Sequence, residues 1–361
     1  MRSRRKIWGM QRENKDSGMI KRQTDMERNL RMSLKEWLPF FGMVLMLASC
    51  TEDERLPQTE DGYGLKLESV SLYEGGTSTR VLLTDVDAVG LFLTKQNHAE
   101  YGSNPRCVYT RTGGGWSAGD NAPKINSANG DDAIVYAFHP SGLTVTREAS
   151  GNHTVPVSVV AADDFLAASQ TDYLLNWHSS TTAFGPYAVT TSNRSLSLSL
   201  KHTLAKVSLR VLKSEAATEK LTLKKVEILS PTNRIQIGNG VMNLATGALS
   251  GLSSTSQLTL THSAGTVLAN STAPNVTCLA APMAASEPLL SFRLTVDVLP
   301  AGAGTPAELV FETGVVGTPQ QWKAGKHYVY KVTVDKMGGG FSGVQMEDWQ
   351  NDASQNTSIG I

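Results

Sequence analysis

Apolar and polar positions alternate along most of this chain with the two-residue period of a half-buried strand. Leu65 and Leu67, then Val70 and Leu72, alternate with polar residues and stop at Glu74-Gly75-Gly76. Val89, Leu91 and Leu93 repeat the pattern after Asp85-Val86-Asp87, as do Ile134, Tyr136 and Phe138 before Pro140-Ser141-Gly142. The second half alternates more regularly. Leu196, Leu198 and Leu200 share one face, with Ser195, Ser197 and Ser199 on the other; Phe292 to Val298 and Tyr328 to Val334 alternate without error. Parity flips between Leu200 and Val207, which predicts a bulge or a crossing near His202–Ala205. The stretch Asp163–Trp177 is the least strand-like and predicts a helical turn. Gly, Pro and Asn punctuate the runs at Ser230–Asn233, Gly238–Gly240, Pro300–Pro306 and Gly338–Gly340. Strands this short, with no fixed-period repeat, predict all-β sandwiches rather than βαβ units.

One apolar run breaks the pattern. Leu38–Leu47 is followed by Ala48-Ser49-Cys50 and then by Thr51-Glu52-Asp53-Glu54. A basic n-region, a short apolar h-region, small residues and a cysteine make a lipoprotein signal. The run is about half of the ~20 apolar residues a membrane span needs, so a spanning helix is the weaker reading. Cys50 is therefore the expected lipidation site. Residues 1–49 form the signal region and 50–62 a lipidated tether. Met1–Arg31 is polar and basic, unlike a signal peptide, which predicts a start at Met26 or Met32. The acidic run behind Cys50 resembles the surface-export signal of Bacteroidetes lipoproteins, which implies display on the outer membrane.

Removing residues 1–49 leaves 22 Lys+Arg against 28 Asp+Glu, a net charge of −6. No basic patch survives, so no nucleic-acid partner is expected. The 312 residues from Cys50 onward fit two domains, with a boundary near residue 195: 63–194, 195–350 and a short polar tail at 351–361. With Cys50 used for lipid, Cys107 and Cys278 lie far apart, and spacing favours two isolated thiols without excluding a disulfide.

Catalytic signatures are missing. The sequence holds no CxxC, HExxH, GxSxG or GxGxxG, and Gly317–His327 departs from a phosphate loop. None of the seven histidines pairs with another His or Cys at ligand spacing, so no metal and no cofactor are expected. His139 and His202 read as hydrogen-bonded structural residues. Asp131-Asp132 and Asp163-Asp164 could supply acid and base, but adjacent residues point to opposite faces of a strand. Trp116, Trp177, Trp322 and Trp349 fit core packing better than sugar platforms. The chain is not expected to be an enzyme.

The C-terminal segment carries a more specific pattern: Trp322-Lys323-Ala324-Gly325-Lys326-His327-Tyr328-Val329-Tyr330, then Asp348-Trp349. It resembles the closing signature of the Bacteroidales fimbrillin family. Leu200-Lys201-His202-Thr203-Leu204-Ala205-Lys206-Val207, Thr171-Asp172-Tyr173-Leu174-Leu175 and Ser78-Thr79-Arg80 are similar to further elements of that family. The resemblance implies two tandem transthyretin-like antiparallel β-sandwich domains. It gives structural roles to Trp322, Gly325, Lys326, Tyr328, Tyr330, Asp348 and Trp349, and implies a fimbrial (pilus) subunit used in adhesion. Its partners would be other fimbrial subunits joined by strand complementation, the outer membrane through the lipid, and a host protein or glycan. In shaft subunits of the family a trypsin-like protease cuts after an arginine; the matching residue here is Arg80. Anchor subunits stay uncut. The tail after Trp349 is poor donor material, with only Ile359 and Ile361 in alternation, so a tip or anchor role stands beside a shaft role. A surface glycan-binding lipoprotein remains the alternative; it requires tryptophans exposed on one face.

Overall fold

In the computed structural model, residues 64–73, 80–82, 86–165, 169–271, 275–335 and 338–348 are described. Cys50, the tether, Trp349 and the tail lie outside them. Among these residues strands dominate, and the one short helix is a 3-10 turn at Gly119–Asn121. The fold is an all-β sandwich.

In the first half, eight strands form one path. Its order is Arg80–Leu82, Lys66–Tyr73, Ser195–His202, Leu174–His178, Asp132–His139, Ala88–Thr94, Arg106–Thr112 and Gly115–Ser117. The predicted alternation at 89–93 and 196–200 points its apolar faces into one core, with Leu91, Leu93, Leu198 and Leu200 fully buried. In the second half two sheets face each other. One runs Val276–Ala280, Ala205–Lys213, Lys326–Asp335 and Gly338–Asp348; the other runs Ala307–Glu312, Ser291–Leu299, Lys220–Leu229, Gln257–Val267 and Ala162–Asp164. Between them lie Val207, Leu209, Ile228, Phe292, Leu294, Tyr330 and Val332, all buried because both inner faces alternate in step.

Among the described residues most ladders are antiparallel, but three are parallel. Lys66–Tyr73 pairs in parallel with Ser195–His202, Ala205–Lys213 with Lys326–Asp335, and Ala162–Asp164 with Gln257–Val267. The parity flip is a crossing. Ser195–His202, the run from which a second sandwich was expected to begin, completes the first sheet. The chain crosses at Thr203-Leu204 and enters the next sheet at Ala205. A third apolar cluster sits across this crossing, joining Phe92, Tyr136, Phe138 and Leu175 to Leu204, Met242, Leu244 and Leu279. His153–Val159 pairs with Ile235–Asn243, so the halves also share a sheet.

The helical turn expected within Asp163–Trp177 is not seen among its described residues, which include the strands Ala162–Asp164 and Leu174–His178. Its polar residues serve distant partners instead. The Leu279 amide donates to Gln170 Oε1, and Asp172 pairs with His202.

Candidate functional site

The closing segment is built around Trp322, which is completely buried. Its indole N–H donates to the Tyr330 hydroxyl at 3.0 Å, and that hydroxyl donates to Gln320 Oε1 at 3.2 Å. Tyr330 also packs on Phe292, ring centroids 4.9 Å apart. The Tyr328 hydroxyl donates to the Gln321 carbonyl at 2.8 Å and accepts from the Lys323 amide at 3.0 Å. Burial raises both phenols above their ordinary values, so both stay protonated donors. The Trp-x-x-Gly-Lys-x-Tyr-x-Tyr spacing thus folds a tight turn back onto the strand that follows it.

Gly325 is required in that turn. Its φ is +66°, and a Cβ there would lie 2.4 Å from Lys201 Cε. Its amide donates to the Leu204 carbonyl at 2.8 Å, and the strand it opens starts in register with Lys206 opposite His327. The closing segment is thereby pinned to Lys201–Lys206. That segment is pinned in turn to Asp172-Tyr173. Buried His202 Nδ1 lies 2.6 Å from Asp172 Oδ2, and Thr203 gives both its amide and its hydroxyl to the Tyr173 carbonyl at 2.9 and 3.0 Å. Three segments far apart in sequence therefore meet at one junction.

Lys201 is a charged member of the junction whose partners are aromatic rings. Its Nζ lies 3.7 Å from the Trp177 ring centroid and 5.4 Å from that of Tyr73. Burial, with a smaller contribution from Lys326, pushes its amine down to about 8. Sequence reading quoted Lys201 within a motif but gave it no role, because stacking on Trp177 and Tyr73 appears only once three strands are side by side.

Tyr73 ends the leading strand, Lys66–Tyr73, on the other side of the junction. This strand is hydrogen-bonded to Ser195–His202 on one side and to the three residues Arg80–Leu82 on the other. Arg80 starts that edge strand, opposite Tyr73. Leu65, Leu67, Val70 and Leu72 are buried in the first core, and the Tyr109 hydroxyl donates to the Leu65 carbonyl. Burying an aliphatic side chain is worth ~1.5–3 kcal/mol, so these four dominate how the strand is held. Without it, Ser195–His202 would be an open edge beside an uncovered core.

Among the described residues the last strand, Gly338–Asp348, is also an edge and pairs only with Lys326–Asp335. Asp348 closes that ladder opposite Lys326. Its ladder carries one extra residue, Ser342, immediately after Phe341. The leading strand carries one extra residue, Glu68, immediately after Leu67. Apolar residues flank each bulge at the same spacing: Leu67, Val70, Leu72 and Phe341, Val344, Met346.

Other candidates take structural positions. Asp163 caps the turn to Ser169, and Asp164 faces His262 Nδ1 at 2.9 Å. His139 Nδ1 meets the Ala88 carbonyl at 3.1 Å. Cys107 and Cys278 are both buried and free. Trp177 and Trp322 are buried, and Trp116 is half-buried against the first core. Among the described residues the tryptophans make no exposed face of the kind a glycan platform needs. No group of His, Cys, Asp and Glu among these residues could hold a metal ion.

The family model for fimbrillin-like proteins matches residues 77–349, which takes in the junction and the last strand but begins after the leading strand, and the chain belongs to that family. No curated protein matches it. Among solved structures it is similar to a candidate cell adhesion protein of Bacteroides ovatus, with 17% identity, TM-score 0.53, 80% of this chain and 99% of that one covered. It is also similar to one of Bacteroides uniformis, with 19% identity, TM-score 0.49 and coverage of 80% and 100%. The tip fimbrial protein Mfa3 of Porphyromonas gingivalis is 11% identical, with TM-score 0.33 and coverage of 73% and 94%. The first of these shares the fold.

Proposed function

We propose that this fimbrillin-like chain is a non-enzymatic subunit of a surface adhesion fibre, delivered to the outer membrane as a lipoprotein through Cys50 and assembled by strand exchange. Cleavage after Arg80 detaches residues 50–80, and with them the lipid and the leading strand. The groove so opened is bordered by Ser195–His202 and floored by the first core. An incoming strand fills it, using main-chain hydrogen bonds for affinity and alternate side-chain pockets for register.

The observation that carries this reading is the match between the strand that leaves and an edge strand at the other end of the chain. Lys66–Tyr73, in a parallel ladder, and Gly338–Asp348, in an antiparallel one, each carry one extra residue at the same place within the same apolar spacing. Register in a half-buried strand is set by that spacing, so the last strand of one copy suits the groove of the next. A glycan-binding role finds no comparable support.

The test is limited cleavage of the purified chain from Cys50 onward by a trypsin-like protease. Cutting after Arg80 is expected to convert monomer into a ladder of oligomers. Val344→Asp with Met346→Asp is expected to leave cut monomer that does not polymerise. A double variant that forms the same ladder would exclude Gly338–Asp348 as the donor.

A further inference from the structure

We propose that Lys201 is a specificity-determining residue of the groove, and that it recognises an incoming strand through a carboxylate at position 347. The inference rests on the strand-exchange reading above. It adds the identity of one contact that decides which strand is accepted.

Three observations place the contact. First, Lys201 is the cross-strand neighbour of the last residue of the leading strand. Leu72 is in register with Leu200, and Tyr73 therefore comes beside Lys201. Leu72 and Leu200 are buried in the core, whereas Tyr73 and Lys201 sit on the other face of the sheet. Second, the Lys201 ammonium is held by rings and not by an acid. It lies 3.7 Å from the Trp177 centroid and 5.4 Å from Tyr73, and no carboxylate within residues 64–73, 86–165, 169–271 and 275–334 pairs with it. Release of residues 50–80 takes Tyr73 away and leaves a half-buried cation on Trp177. Third, aligning the two strands by bulge and apolar spacing puts Phe341 at the position of Leu67, Val344 at Val70 and Met346 at Leu72. The next residue, Glu347, then takes the position of Tyr73.

The exchange is chemically favourable at this position. A cross-strand pair of opposite charge stabilises a sheet, and a half-buried pair is screened less than an exposed one. Lys326 adds positive field at the same place, as its effect on the Lys201 amine shows. A strand with an aromatic there would only restore the cation–π contact of the uncut chain. A strand with Lys or Arg there would set two cations side by side in a partly dry site, a repulsive contact that rejects wrong partners. In the uncut chain the backbone of Glu347 is in register with His327 of its own sheet.

A charge swap tests this in the mature full-length chain. Glu347→Lys and Lys201→Glu are each expected to lower the rate of oligomer formation after cleavage by at least ~10-fold, as a like-charge contact implies. Glu347→Lys and Lys201→Glu in one chain are expected to restore it to within about threefold of wild type, since the pair is re-formed with reversed sign. Thermal melts of each uncut variant establish that it folds. In mixtures, Glu347→Lys donors should cap Lys201→Glu acceptors and not wild-type ones. Wild-type polymerisation that neither single substitution slows overturns the Lys201 contact and leaves strand exchange standing. Slowed single variants with no rescue in the double overturn it too. Wild type that is cut and never polymerises overturns the strand-exchange reading on which it depends.

Discussion

Trp322 makes the clearest demand of any single residue. It is fully buried and joins Tyr330 through a 3.0 Å hydrogen bond, so truncation leaves both a cavity and a buried hydroxyl lacking its donor. Trp322→Ala is expected to destabilise the chain by ~3–5 kcal/mol in urea denaturation, and Trp322→Phe by less. His327 makes a demand of a different kind. Burial, aided by Lys206, pushes its imidazole down to about 4 from 6.5, and Nε2 meets Ser208 Oγ at 2.8 Å. Between those two values the unfolded chain binds the proton and the folded chain does not. Stability is therefore full above about pH 6.5 and is lost as pH falls toward 4, by at most ~3 kcal/mol. Urea midpoints from pH 4 to pH 7 should show this slope, and His327→Gln should flatten it. These residues were legible in different degrees. Trp322, Gly325 and Tyr330 stood out because their spacing is a motif. His327 and Lys201 did not, because their chemistry comes from Lys206, Ser208, Trp177 and Tyr73, which only folding brings near.

Among the elements, alternation located the strands that have one dry face. The runs at 89–93, 134–138, 196–200, 207–211, 292–298 and 328–334 all lie in strands. It was silent on Ile235–Asn243 and on most of Gln257–Val267, whose residues are largely Ser, Thr, Gly and Asn and only half-buried. Such strands are held by pairing with neighbours rather than by an apolar row, and pairing leaves no periodic trace in one strand. Partner choice was hidden for the same reason: nothing in Leu65–Leu72 announces that it runs parallel to a strand about 130 residues later. The leading strand yields a prediction specific to its proposed role. Val70→Asp places an unpaired carboxylate in the first core and should lower the melting temperature of the uncut chain markedly. After cleavage at Arg80 the variant and the wild type should polymerise alike, because the altered strand has left. A defect that persists after cleavage would mean that Lys66–Tyr73 stays in the assembled subunit.

On the scale of the whole molecule, the proposed strand exchange uses two strands far apart in sequence. Among the described residues the leading strand lies next to the edge strand Arg80–Leu82 of the first sheet, and the last strand lies at one margin of a sheet in the second half. Between them lies the junction of Asp172-Tyr173, Lys201–Lys206 and Trp322–His327, which holds the crossing chain in place. The family match spans residues 77–349, from just before Arg80 to just after the last strand. Lipidation at Cys50 and cleavage after Arg80 place opposite demands on the mature N-terminus of any copy found in a fibre. Mass spectrometry of subunits from purified surface fibres reads that terminus directly. A subunit that begins at Val81, with no fatty acid, is the result the strand-exchange account predicts. Fibre subunits that still begin at lipidated Cys50 would contradict it and leave the chain as an uncut anchor or tip.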